Sequence, residues 1–104
     1  MTVSRRLGAA SIVMAFAGWW YAAAQPPTAP RIIAVCAPCH GYDGRGANVE
    51  TPTIAGQPGI YLRQQILDFR AGRRPHPRMQ GLAHELTERE INEIVGYYAI
   101  LPPP

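Results

Sequence analysis

Cys36-Ala37-Pro38-Cys39-His40 sets two thiols three positions apart and follows the second with an imidazole. This is a C-x-x-C-H motif, the attachment signature of a c-type haem. The spacing has a physical reason. Two thioether bonds must reach the two vinyl groups on one side of a porphyrin, and two intervening residues let both sulfurs face the same ring. The adjacent His40 then supplies a proximal nitrogen to the iron. The same cysteine pair could also serve as a redox dithiol, a disulfide or half a zinc site. The βαβ pattern of a thioredoxin-like dithiol is absent, and zinc would need His40 together with a distant His76 or His84, at no recognised spacing.

Haem iron in an electron carrier usually takes a second axial ligand, and a soft methionine thioether raises the reduction potential by favouring Fe(II). Met79 is the one methionine beyond residue 24 and follows His40 by 39 positions. It sits among prolines and charged residues, a poor setting for a gap-filling core methionine. His76 and His84 are fallback ligands and read more simply as surface residues.

The elements that must position these groups are few. The chain has 104 residues, enough for one domain. Residues 1–24 read as an export segment: Arg5 and Arg6 precede an uncharged run from Leu7 to Ala24, and Ala22-Ala23-Ala24 fits a small-x-small cleavage rule that would leave Gln25 first. An uncleaved anchor is the alternative, with Trp19, Trp20 and Tyr21 at a membrane interface. In both versions residues 25–104 form a domain facing the periplasm. That domain carries eight arginines against seven acids, so the net charge of +3 belongs mostly to the leader and no nucleic-acid-binding face is expected. A domain of this size with eleven prolines makes a thin core and needs a staple such as a metal or a large cofactor.

Within the domain, Pro30 is placed to open a helix running toward Cys36, and Pro38 predicts that it ends or distorts there. Gly41 to Pro58 reads as loop. A second helix is predicted over 59–71, stopped by Gly72, with Leu62, Ile66 and Phe69 on one face. Residues 73–86, with Pro75 and Pro77, read as a second irregular stretch. Thr87-Glu88-Arg89-Glu90 is a capping-box sequence opening a third helix, with Ile91, Ile94, Val95, Tyr98 and Leu101 on one stripe. No run alternates at period two. The expected architecture is all-α, three main helices and irregular loops around one covalently bound haem.

The stretches CAPCHGYDGRG, PTIAGQPGIYLRQQILDFRAGRR, a following methionine and LTEREINEIVGYYAIL together resemble class I cytochromes c, particularly the small bacterial c553-like cytochromes and a single half of the dihaem cytochromes c4. The resemblance covers nearly all of residues 31–101 and implies the cytochrome c fold. It implies Cys36 and Cys39 as covalent haem ligands and His40 and Met79 as axial ligands. It implies that the Pro52 carbonyl accepts the Nδ1 proton of His40, a bond that orients the ring. It implies that Ile54 lines the haem pocket, and that Gln57 and Tyr61, in a G-Q-x-x-x-Y-L run starting at Gly56, lie near the haem or its propionates. The segment around Met79, HPRMQG, departs from the pattern in being short and basic.

These features predict a periplasmic one-electron carrier rather than an enzyme, with haem c as its cofactor and redox proteins as its partners. Two axial ligands leave no open iron for a small-molecule substrate. The alternative is a haem c subunit of a larger oxidoreductase or respiratory complex, which exposed apolar area would favour. Arg70, Arg73, Arg74, His76 and Arg78 crowd before Met79; they fit either an acidic partner's docking face or a solvated surface. Glu85, Glu88, Glu90 and Glu93 gather near the start of the third helix, where acids complement the helix dipole.

Overall fold

A computed structural model describes residues 2, 3, 8 and 28–104. The expected leader therefore lies largely outside the described residues. Among those residues there are four helices and no strand: α1 (Ile33–His40), α2 (Gly59–Ala71), α3 (Pro77–Glu85) and α4 (Glu88–Ala99). α2 packs against both α3 and α4. The core is Ile33 from α1, Leu62, Ile66 and Phe69 from α2, Ala83 from α3, and Ile91, Ile94, Tyr97, Tyr98 and Leu101 from α4 and its end.

α2 has the limits read from its sequence. Gly72 takes φ 75°, the left-handed conformation that glycine adopts without a Cβ clash, and its N–H bonds the Asp68 and Phe69 carbonyls. α4 opens on a complete capping box: Glu90 N–H donates to the Thr87 hydroxyl, and Thr87 N–H donates to the Glu90 carboxylate. Two of the four acids also form ion pairs, Glu88 across to Arg63 and Arg70 of α2, and Glu93 with Arg89 one turn back on α4 itself.

Three local features differ from the sequence reading. α1 continues through Pro38 to His40. Proline removes the bond to the carbonyl four residues earlier, here that of Ala34, which is exposed and open to water. The stretch 73–86 is not wholly irregular: Pro77 is the first residue of α3. Proline's fixed φ suits that position, and its missing N–H would be unpaired there in any case. On α4, Tyr97 is buried while Val95 is only partly so. The Tyr97 ring packs edge-on against Tyr98, with ring centres 5.0 Å apart.

Candidate haem centre

The first wall of the site is α1 and the loop that follows it. The Gly46 N–H donates to the His40 carbonyl at 2.8 Å, and the Ala47 N–H to the Cys39 carbonyl at 2.7 Å. The chain then returns. The Gly44 carbonyl accepts from the Ile54 and Ala55 amides at 2.7 and 3.0 Å. Gly44 has φ 70°, and a Cβ there would stand 2.9 Å from both the Ala55 nitrogen and the Tyr98 ring. Two tyrosines from α4 tie the start of the loop: the Tyr98 hydroxyl donates to the Gly41 carbonyl at 3.0 Å, and the Tyr97 hydroxyl to the Tyr42 carbonyl at 2.6 Å.

This folding-back brings Pro52 to His40, with Nδ1 3.1 Å from the Pro52 carbonyl oxygen. A carbonyl can only accept, so Nδ1 carries the proton and the Nε2 lone pair is left free for a metal. Burial holds the His40 pKa below its ordinary value, partly offset by the Pro52 bond. Burial outweighs the bond and favours the neutral imidazole, while the bond orients the ring. Burial pushes the Cys36 thiol up to about 11. A thiol held protonated at neutral pH lacks the thiolate character of a reactive dithiol. Among the described residues no three His, Cys, Asp or Glu side chains are gathered to hold a free metal ion.

The second wall is α2 and α3. Between the walls lies a cavity of about 580 Å³, within the ~300–1,000 Å³ range of cofactor sites. Cys36, Cys39, His40 and Met79 all line it. So do Pro52, Ile54, Gln57 and Tyr61. The structure thus brings these eight candidate haem-site residues to one cavity, while the fallback ligand His84 does not line it. Gln57 is tied within the loop, its amide donating to the Thr53 carbonyl at 3.2 Å. Tyr61 is nearly half exposed, at the margin of the site.

The apolar lining comes mainly from Leu62, Ile66, Phe69, Leu82, Leu86 and Ile94. Leu62, Ile66, Phe69 and Ile94 are ordinary helix-stripe positions, Leu82 lies on α3 and Leu86 just past its end, and nothing in their types marks them as lining residues. Arg74 also lines the cavity. Its guanidinium lies 4.7 Å from the Phe69 ring centre and bonds the Gln65 side chain at 2.8 Å. The basic cluster before Met79 divides accordingly. Arg70 bonds the Ala83 and Leu86 carbonyls at the end of α3, and Arg73 pairs with Asp68 at 2.9 Å. Arg74, His76 and Arg78 line the cavity.

The donor set fits a covalently held haem. Two sulfurs stand together on α1, one imidazole nitrogen is free beside them, a thioether stands on the second wall, and the lining is largely apolar. Fold and site together define an all-α haem protein. The chain belongs to the cytochrome c family, whose sequence profile matches residues 29–99. It carries one covalently bound haem c, attached at Cys36 and Cys39.

Among curated relatives, it is 32% identical over 88 residues to a cytochrome c4 of Pseudomonas aeruginosa, covering 85% of this chain and 44% of the relative. It is 39% identical over 70 residues to a thiosulfate dehydrogenase electron acceptor of Stutzerimonas stutzeri, covering 66% of this chain and 32% of that protein. The chain therefore spans less than half the length of these relatives. A solved structure of thiosulfate dehydrogenase from Marichromatium purpuratum superposes with a TM-score of 0.62 at 42% identity, over 65% of this chain and 15% of that one.

Proposed function

We propose that this chain is a one-electron carrier whose haem c takes His40 and Met79 as axial ligands. The observation that supports it is the single cavity onto which the attachment cysteines, a neutral imidazole with a free Nε2 and the Met79 thioether all converge. The haem supplies the Fe(II)/Fe(III) couple. The protein's part is to hold ligand geometry fixed, exclude water with an apolar lining and set the potential through Met79. With both axial positions filled no substrate site remains, which makes the chain a carrier rather than an enzyme. Its donor and acceptor are redox proteins.

The domain acts in the periplasm, exported by residues 1–24 and either released at Gln25 or tethered by the 7–24 run. Mass spectrometry of the chain recovered from the periplasm distinguishes the two. The test of ligation is an optical spectrum of the haem-loaded protein. A c-type pyridine adduct with the weak far-red methionine-to-iron band is expected. A c-type adduct without that band removes Met79 from the assignment.

A second reading is a haem c unit within a larger oxidoreductase. Two observations favour it: the likeness to a thiosulfate dehydrogenase of which this chain matches only 15%, and the exposed side chains of Ile60 and Ile100, 83% and 68% accessible. Co-purification of a stoichiometric partner from the native source would establish it, and a monodisperse single chain would exclude it.

A further inference from the structure

Met79 is the third residue of α3, and its N–H donates to the Nδ1 of His76 at 3.2 Å. His76 is therefore the N-cap of this helix. Serine, threonine, aspartate and asparagine are the usual caps, and the neighbouring α4 uses one of them, Thr87, in the same relation to Glu90. The local sequence explains why histidine can serve. A residue before proline is pushed into extended backbone, and His76, before Pro77, has φ −163° and ψ 105°, which is the backbone that a capping residue needs. Its carbonyl accepts the first helical bond, from the Gln80 N–H at 2.8 Å. Its ring stands edge-on to Phe69 of α2, with ring centres 6.1 Å apart. The imidazole thus joins the backbone of Met79 to the floor of the cavity.

We infer that His76 is the positioning residue for the Met79 ligand: its Nδ1 lone pair fixes the first turn of α3 and so the point from which the thioether reaches into the cavity. This rests on the proposed Met79 ligation. Losing a cap typically changes a local equilibrium about fivefold. The fraction of protein with Met79 detached should rise by that factor, and an added ligand that competes for the same iron position should bind about fivefold tighter.

Two substitutions separate capping from packing. His76→Phe keeps a ring against Phe69 and removes the acceptor. His76→Asn keeps an acceptor and removes the ring. The measurement is imidazole titration of the oxidised holoprotein, with the far-red band and the Met79 amide exchange rate recorded alongside. The phenylalanine variant should bind imidazole about fivefold tighter and exchange the Met79 amide at least fivefold faster. The asparagine variant should stay within about twofold of the unmodified protein in both.

The reverse order, with asparagine impaired and phenylalanine normal, would overturn the inference in favour of ring packing. If neither variant assembles with haem, the Met79 amide in the unmodified holoprotein decides: an amide exchanging as fast as an exposed one defeats the cap. If the unmodified protein shows no methionine-to-iron band, Met79 ligation itself fails. A band present together with an unchanged His76→Phe defeats only the role of His76.

Discussion

On the His40 wall a network of loop amides and α4 side chains converges on backbone carbonyls; on the Met79 wall the ties beyond α3's own helical bonds come from two side chains, those of His76 and Arg70. The Cys39, His40, Gly41, Tyr42, Gly44 and Pro52 carbonyls all accept bonds that fix the loop. α3 is held by the His76 cap at one end and by Arg70 at the other, and the chain between α2 and α3 is exposed from Ala71 to Arg78. Backbone ties are short and lose little freedom on forming, whereas a long side chain must be ordered before it can hold anything. On the proposed ligation, this difference should hold His40 more firmly in register than Met79.

Removing either proposed axial ligand has the largest expected effect. His40→Ala should abolish a stable haem-loaded protein. Met79→Ala should leave haem attached, admit exogenous ligands and lower the potential by on the order of 0.1–0.3 V, inside the ~0.8 V that axial ligands span. Voltammetry of the Met79 variant checks this, and an unchanged potential would show that Met79 does not bind.

Two of the five glycines with positive φ differ in what surrounds them. Gly44 and Gly72 have φ 70° and 75°, yet a Cβ at Gly44 meets backbone and a buried ring at 2.9 Å, while at Gly72 it meets only the end of Gln80 at 3.4 Å. Gly44→Ala should therefore cost about 3 kcal/mol, combining left-handed strain with overpacking. Gly72→Ala should cost about 1 kcal/mol from strain alone. Denaturant unfolding of the two variants reads the difference, and equal costs would mean that the loop yields as readily as the open turn.

Tyr98→Phe removes the hydroxyl that holds Gly41 and should cost about 0.5–1.5 kcal/mol. It also carries a pH signature. Burial raises the Tyr98 pKa above its ordinary 10.0, so the folded state favours the neutral phenol. That stabilisation is complete below pH 10 and declines as pH rises beyond it, because the unfolded chain ionises first. Denaturation midpoints between neutral pH and about 11 should fall less steeply in the phenylalanine variant; parallel curves would exclude Tyr98 as the source. The smallest effect belongs to Arg73→Ala. It removes an exposed pair with Asp68 and should change stability by no more than about 0.5 kcal/mol, measurable by the same unfolding experiment.

What the sequence made legible follows from how local each signal is. The limits of α2 and α4 rest on a glycine stop and a capping box, both contained within four residues of the boundary, and both appear where the sequence puts them. The Cys36–His40 motif is equally local. α3 was hidden because its opening signals, Pro77 and a histidine cap, are also what a turn looks like when read alone. The burial of Tyr97 was hidden for a different reason. It depends on a bond to a carbonyl 55 residues earlier, which no periodicity within α4 can reveal. The basic cluster looked uniform along the chain, but the fold assigns its members to different tasks: Arg70 and Arg73 close turns, and Arg74 faces the cavity.

The tyrosine ties from α4 also set a chronology. Tyr98 is made 57 residues after Gly41, the group that it holds. Until α4 is synthesised, the segment bearing Cys36 and Cys39 has no tether on that side, and contacts so distant in sequence close late in folding. The tether on that side of the haem-binding segment is thus a contact between groups 57 residues apart, and the segment is fully anchored only once the far end of the chain has folded back onto it.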